Sequence, residues 1–233
     1  MGTAVQKKPS FEGLDAIFID LDHTLFNTQK QKFEFMKQFA EREGSGWSRE
    51  KQSVFSARQR ELFRLWHIGD LNAQEFLLAR GKTFCEVFSI AKTPKEGMEM
   101  INYSIRNSLE LLPGAAEAMA HLSKLGLPIY LASTGIYVNQ SGRLADTGLL
   151  RYFSDLFVSD RVDCPKSNPN FYHSILRMTG IAPERAIMIG DTVTDDIVVA
   201  KSVGMQTCWI MATPDKEIPP EADYYVLGPG DLI

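Results

Sequence analysis

The spacing of apolar residues changes twice along the chain. Residues 16–19 form an uninterrupted apolar run, Ala-Ile-Phe-Ile, which is typical of a strand buried on both faces. Between about residue 28 and residue 108, apolar residues recur at the intervals of amphipathic helices. From residue 109 onward, short apolar runs alternate with helical segments. The pattern predicts an α/β protein with a helical segment inserted after its first strand.

Beyond residue 109, the alternation of strands and helices favours a parallel sheet with helices on both faces. The predicted strands are residues 127–132, 156–158, 186–189, 206–210 and 224–227. The predicted helices are residues 115–125, 138–147, 170–179 and 195–203. We therefore expect a Rossmann-like, three-layer α/β core formed by residues 11–27 and 109–233, and an inserted helical domain formed by residues 28–108.

The first ten residues are polar and include Lys7 and Lys8. Because they lack the apolar segment of a secretory signal, we expect residues 1–10 to be disordered. No apolar stretch elsewhere approaches the roughly 20 residues that a membrane-spanning helix needs. The sequence therefore predicts a protein without membrane contact.

The composition argues against several classes of protein and of binding site. The 233 residues are 44% hydrophobic and 23% charged, which is ordinary for a soluble globular protein. The net charge of −4 and the lack of a basic stripe argue against a nucleic-acid polymer as partner. Cys85, Cys164 and Cys208 form no Cys-x-x-Cys motif, which argues against a zinc site or a disulfide framework. We expect a monomer or homodimer in the reducing cytoplasm.

Two carboxylates follow the first predicted strand. Asp20 and Asp22 stand at its carboxyl end, where open α/β sheets bind their ligands. Two anionic groups at the end of a buried strand are costly unless a cation meets them, and Mg2+ prefers oxygen ligands. Asp20 could attack phosphorus as a nucleophile, and Asp22 could act as general acid and base. The alternative is a polar turn in which Asp serves as a cap.

Three further polar signals lie at or after predicted strands. Ser133 precedes two residues, Thr134 and Gly135, whose backbone amides near a helix start would suit a phosphate oxygen. Lys166 lies in a proline-containing loop and could neutralise a phosphate group. Residues 190–196, Gly-Asp-Thr-Val-Thr-Asp-Asp, supply another metal carboxylate. Taken singly, these are also a common turn, a solvated lysine and a helix N-cap.

The order of the four signals resembles the haloacid dehalogenase superfamily of phosphohydrolases over nearly the whole chain. Residues 20–24, Asp-Leu-Asp-His-Thr, resemble its first motif, Asp-x-Asp-x-Thr. Ser133 resembles the second motif, Lys166 the third, and residues 190–196 the fourth. The helical insertion resembles the α-helical cap of subclass I. Within that subclass, residues 190–197 and 207–209 are similar to pyrimidine 5′-nucleotidase-like members.

The resemblance implies roles for the first and fourth motifs. Asp20 would be the nucleophile and a metal ligand. Asp22 would be the general acid and base, with its backbone carbonyl on the metal. Asp191 would be the third protein ligand of Mg2+, and Thr24 would support the first motif.

The resemblance also implies a phosphate site. Ser133 and Lys166 would hold the transferring phosphoryl group, together with Thr134, which stands where many members have Asn. Asp196 would orient Lys166 or bind a metal-bound water. Asp195 competes for that role, because the spacing within the fourth motif varies by one residue among members.

The predicted activity is Mg2+-dependent hydrolysis of a small phosphomonoester through an aspartyl-phosphate, with a nucleoside monophosphate as the first substrate. The alternatives are a sugar-phosphate or phosphoglycolate phosphatase, a phosphomutase, and a phospho-ligand-binding module without activity. The cap would select the substrate. Arg80 is the candidate for that selection, because it lies on an apolar helical stripe; a snorkelling arginine or a core salt bridge is the alternative.

Overall fold

The structure is a computed structural model that describes residues 6–213 and 217–233. The chain divides into two compact units. The α/β unit comprises the chain up to Asn27 and from Leu109 to Ile233, and the helical unit comprises Thr28–Ser108.

The α/β unit contains a six-stranded parallel sheet within the described residues. Its strands are β1 Ala16–Ile19, β2 Ile129–Ser133, β3 Asp155–Val158, β4 Ala186–Gly190, β5 Gln206–Ile210 and β6 Tyr224–Val226, in the order β3-β2-β1-β4-β5-β6. Because β1 lies between β2 and β4, Ile17 pairs with both Ile129 and Ile187. The carboxyl ends of these central strands, where the polar motifs begin, therefore lie side by side.

The helical unit contains α1 Thr28–Glu43, α2 Arg49–His67, α3 Ala73–Phe88 and α4 Pro94–Arg106. Side chains cap two of these helices: Ser48 accepts a hydrogen bond from the Lys51 amide, and Thr93 caps α4 with Pro94 as its first residue. An apolar core holds these helices together, and its buried members are Met36, Ala40, Phe55, Phe84, Cys85, Phe88, Ile90 and Ile101.

Two helices of this unit approach each other at a pair of glycines. A Cβ atom at Gly81 of α3 would overlap the backbone of Pro94 and Met98 in α4. A Cβ atom at Gly97 would overlap the carbonyl of Gly81. Glycine at both positions therefore allows α3 and α4 to pack with their backbones in contact.

The remaining helices are α5 Ala115–Leu122, α6 Tyr137–Asp146, α7 Ser159–Val162, α8 Pro169–Thr179 and α9 Val199–Ser202, the last preceded by a π-helical turn, Val193–Val198. Alternate residues of β1 reach opposite layers: Ile17 belongs to an apolar cluster with α5, whereas Phe18 belongs to one with α8. The predicted three-layer, Rossmann-like α/β fold is confirmed.

The N-terminal segment differs from its prediction. The sequence predicts disorder for residues 1–10, of which the first five lie outside the described residues. Lys7 instead pairs with Tyr225 of β6 through backbone hydrogen bonds of 3.0 and 2.9 Å. Lys8 Nζ also donates to the carbonyl of Ile233 at 2.6 Å. The open edge of β6 offers unpaired backbone groups, and the segment from Gln6 uses them.

None of the helices in residues 6–213 and 217–233 combines the length and apolar character required to cross a membrane.

Candidate active site

Asp20 follows β1 directly and is buried, with 7% of its surface exposed. Its backbone amide donates to the carbonyl of Ile189 in β4 at 2.9 Å, which extends the sheet pairing by one residue. Its side chain accepts a hydrogen bond from Lys166 at 2.8 Å. The strand pairing thus fixes the backbone of Asp20, and the lysine fixes its carboxylate.

Lys166 lies in the turn before α8, and it is almost completely buried. Its ammonium group lies 2.5 Å from Asp196 Oδ1 as well as 2.8 Å from Asp20 Oδ1. Burial alone would lower the pKa of Lys166, but the two carboxylates outweigh it and hold that pKa above its usual value. Lys166 is therefore a fixed positive charge between two acids.

Asp191 completes an acidic cluster. One carboxylate oxygen from each of Asp20, Asp191 and Asp196 lies within 4.8 Å of the others. Burial raises the pKa of all three, and burial with repulsion from Asp196 raises that of Asp191 to about 7. Three carboxylates face one ammonium group, so the cluster has an excess of negative charge.

These residues fit the predicted Mg2+. The donors are all oxygens, which Mg2+ prefers, and a divalent cation would offset the excess charge that raises the three pKa values. Asp22 is predicted to bind through its backbone carbonyl, and its side chain does not belong to this cluster among the described residues. The binding of Mg2+ by the Asp22 carbonyl stays a prediction, and the third carboxylate of the cluster is that of Asp196.

Gly190 brings Asp196 close to the end of β4. A Cβ atom at residue 190 would overlap the Asp196 carboxylate, so only glycine leaves it room. The amide of Thr192 donates to Asp196 Oδ2 at 2.9 Å and fixes it further. Asp195 lies elsewhere: its carboxylate accepts from the hydroxyl of Thr194 at 2.8 Å. The geometry thus favours Asp196 over Asp195 as the partner of Lys166.

Ser133 is the last residue of β2 and is buried. Gln140 Nε2, in α6, donates to Ser133 Oγ at 3.1 Å and to the Thr134 carbonyl at 3.4 Å. The same amide donates to Asp22 Oδ2 at 3.1 Å. The predicted phosphate-binding hydroxyl and the predicted acid therefore share one hydrogen-bond donor.

Arg143, one helical turn beyond Gln140, has no exposed surface. Its Nη1 donates to Asp22 Oδ1 at 2.6 Å, and its guanidinium lies 4.5 Å from the centre of the Phe26 ring. Gln140 and Arg143 are not among the site residues predicted from the sequence. The available signal was their three-residue spacing, which places both on one face of a helix that follows the second motif.

Two more residues shape the site. Thr24 is fully buried, and its hydroxyl has no hydrogen-bond partner within the part of the chain that the structure describes. Trp209 of β5 donates from Nε1 to the Asp191 carbonyl at 2.9 Å, a contact that the sequence does not predict. Trp209 thereby anchors the loop that carries Asp191.

Arg80 lies in the helical unit, on α3. Its Nε donates to Gln59 Oε1 at 2.6 Å, and its guanidinium lies over the rings of Phe63 and Phe76. Burial lowers its pKa to about 10. No carboxylate pairs with it among residues 6–213 and 217–233, so a core salt bridge does not account for its position.

A cavity of about 200 Å³ opens beside Arg80 within the helical unit. Its lining includes Gln59, which is 8% exposed, and Phe33, Phe55 and Phe63. The Nε2 of Gln59 is buried and donates to no described atom. The cavity therefore combines hydrogen-bond donors with aromatic walls.

A family model for haloacid dehalogenase-like hydrolases matches residues 14–204. The chain is 27% identical to pyrimidine 5′-nucleotidase PynA of Streptococcus pneumoniae over 197 residues, 83% of this chain and 82% of that protein. It is 31% identical to glyceraldehyde 3-phosphate phosphatase of Pyrococcus furiosus over 122 residues, 51% of each chain. The magnesium-bound structure of the HAD-hydrolase YfnB of Bacillus subtilis superposes with a TM-score of 0.80 at 21% identity, over 91% of this chain and 94% of that one.

Proposed function

The chain belongs to the haloacid dehalogenase-like hydrolases, and we propose that it is a phosphatase that hydrolyses a small phosphomonoester through an aspartyl-phosphate. The observation that carries this proposal is the contact of Lys166 with both Asp20 and Asp196, beside Asp191, at the carboxyl edge of the sheet. Phosphoryl transfer depends on positioning and charge neutralisation, and this arrangement supplies both.

In the first step, a carboxylate oxygen of Asp20 forms a bond to phosphorus while the bond to the ester oxygen breaks. Asp22 gives its proton to the departing oxygen, so an alcohol leaves. Lys166 neutralises Asp20 and the phosphoryl oxygens, and Ser133 and the Thr134 segment hold the phosphoryl group. Bound through the carboxylates of Asp20 and Asp191 and the backbone carbonyl of Asp22, Mg2+ would supply further positive charge to the phosphoryl group.

In the second step, Asp22, now ionised, takes a proton from a water molecule. The water oxygen forms a bond to phosphorus as the bond to the Asp20 oxygen breaks. Inorganic phosphate leaves, Asp20 is again a carboxylate and Asp22 is again protonated. The two residues therefore return to their starting states after one turnover.

A nucleoside monophosphate is the first substrate that we propose. The similarity to PynA supports it, as does the cavity beside Arg80, whose donors and aromatic rings would suit a planar base with carbonyl oxygens. The similarity to the Pyrococcus phosphatase supports a sugar phosphate as the second candidate. Arg80 and Gln59 would select between these classes.

A phosphate-release screen tests the proposal. Purified protein with Mg2+ should release phosphate from 4-nitrophenyl phosphate and, most rapidly, from one class in a panel of nucleoside monophosphates and sugar phosphates. Asp20→Asn should abolish release, whereas Asp146→Asn, a change at an exposed carboxylate of α6, should not. Release by Asp20→Asn at the wild-type rate would overturn the role of Asp20.

Cytoplasmic location and assembly as a monomer or homodimer stay predictions. The three cysteines are free thiols, which supports a reducing compartment.

A further inference from the structure

Both carboxylate oxygens of Asp22 are held by residues of α6. Arg143 donates to Oδ1 at 2.6 Å, and Gln140 donates to Oδ2 at 3.1 Å. Gln140 Oε1 in turn accepts from Arg143 at 2.9 Å, so the two donors also fix each other. A hydrogen bond to each oxygen therefore fixes both the position and the orientation of the Asp22 carboxylate.

A purely structural role explains this arrangement poorly. Arg143 has no exposed surface, and burying a guanidinium costs several kcal/mol unless good partners compensate, as a rough general value. Yet its carboxylate partner lies at the surface of the site, with 30% of the Asp22 side chain exposed. The buried cation therefore serves a carboxylate that stays accessible to a ligand.

We propose that Arg143 and Gln140 are positioning residues that aim Asp22 at the leaving-group oxygen. Each carboxylate oxygen has two lone pairs, so an oxygen that accepts one hydrogen bond can still carry the transferred proton. Because Gln140 Nε2 also contacts Ser133 Oγ at 3.1 Å, the acid is held at a fixed distance from the phosphate-binding hydroxyl. A fixed acid avoids the entropy loss of ordering it at each turnover.

This inference rests on the proposed function, because it concerns the step in which the Asp22 proton moves to the ester oxygen as the phosphorus–oxygen bond breaks. A departing group that is already a weak base needs little protonation, whereas a strongly basic one depends on it. Substituted phenyl phosphates separate these cases with ligands of nearly one size. The ratio kcat/KM reports the step up to aspartyl-phosphate formation, so slow phosphate release does not mask the effect.

The test compares wild type, Arg143→Lys and Gln140→Met on 4-nitrophenyl, phenyl and 4-methoxyphenyl phosphate. We expect kcat/KM for the two poorer leaving groups to fall by about 10- to 100-fold in each variant, a part of the 10²–10⁴ attributed to general acid catalysis. The value for 4-nitrophenyl phosphate should fall by roughly threefold or less. Leu144→Ala, a buried change on the same helix, is the matched control. It should lower thermal stability without changing the dependence on leaving group.

Equal losses on all three substrates would overturn the positioning role and leave a structural one. A gain in kcat/KM would also overturn it, because the contacts would then restrain Asp22 from acting. Should Arg143→Lys fail to fold, Gln140→Met decides alone. If the proposed function itself is wrong, the result is different, because wild-type protein would then hydrolyse none of the three esters.

Discussion

The ammonium group of Lys166 stabilises the unliganded protein, in addition to the role that we propose for it in the reaction. It lies between Asp20 and Asp196 and offsets part of the charge of an acidic cluster that burial makes unfavourable. Burial raises the pKa of Asp20 well above its usual value, and burial with repulsion from Asp196 raises that of Asp191 to about 7. The cluster therefore stores unfavourable energy that a bound cation would release.

The raised pKa of Asp191 predicts how the stability of the metal-free protein depends on pH. The pKa of Asp191 is about 7 when folded and 3.8 when free, so the folded state binds more protons between these values. The free energy of unfolding in EDTA should fall as pH rises from about 4 to about 7, on the order of a few kcal/mol at roughly 1.4 per pKa unit.

Thermal unfolding at several pH values, in EDTA and in Mg2+, measures this effect. Mg2+ should restore the lost stability above pH 7. Asp191→Asn should weaken the pH dependence in EDTA, to which Asp20 and Asp196 also contribute, and should reduce the response to Mg2+. A wild-type protein that is more stable in EDTA at pH 7 than at pH 4 would contradict the prediction.

Some residues of the candidate site can be predicted from the sequence, and others cannot. Asp20 and Asp191 directly follow apolar strands, at the edge where open α/β sheets bind ligands, whereas Lys166 is predicted through its place in the order of the motifs. Arg143 escapes notice because a polar residue on an amphipathic helix usually faces water, and its burial is set by Phe26 and Asp22, far away in the chain. Whether Asp195 or Asp196 contacts Lys166 depends on the π-helical turn, because such a turn changes the direction in which successive side chains point.

At the scale of elements, local signals predict helix ends well and long-range pairing poorly. Ser48 and Thr93 cap α2 and α4 through backbone amides only three positions away, and Ser and Thr are residue types typical of such caps. The pairing of Lys7 with Tyr225 joins residues near opposite ends of the chain, and no local sequence pattern predicts it. Predicted strand bounds are shifted by up to two residues for the same reason, since pairing with neighbours sets where a strand ends.

The contact of α3 with α4 gives a prediction at this scale. Gly81→Ala should destabilise the helical unit by about 1–3 kcal/mol or more, because overpacking forces two backbones apart. Gln74→Ala, at an exposed position of α3, is the control and should have little effect. Urea unfolding followed by circular dichroism measures both. Unchanged stability in Gly81→Ala would show that the two helices separate easily.

At the scale of the whole molecule, we expect chemistry and selectivity to reside in different units. The α/β unit carries the carboxylates, the hydroxyl and the lysine, whereas the helical unit carries the cavity with Arg80 and Gln59. The change of apolar spacing predicts the two units, and the resemblance to the haloacid dehalogenase superfamily implies their different roles. The sequence does not reveal Gln59, whose role depends on a contact between α2 and α3.

Arg80→Lys tests that division. Lysine keeps the charge but loses the planar group that binds Gln59 and stacks on Phe63. We expect kcat/KM for the preferred natural substrate to fall about 10- to 100-fold, as for loss of a polar contact and its packing, with little change for 4-nitrophenyl phosphate. Arg58→Lys, at an exposed site of α2, serves as the control. An equal fall in kcat/KM for both substrates would show that Arg80 does not select the substrate.

The nucleophilic role of Asp20 is the central claim, and trapping the intermediate tests it most directly. Wild-type protein with Mg2+ is mixed with substrate labelled at phosphorus with 32P, quenched in acid within milliseconds and digested for peptide mapping. We expect base-labile label on Asp20 in wild type and no bound label in Asp20→Asn. Label on another residue, or rapid turnover without bound label at any quench time, would contradict the nucleophilic role of Asp20.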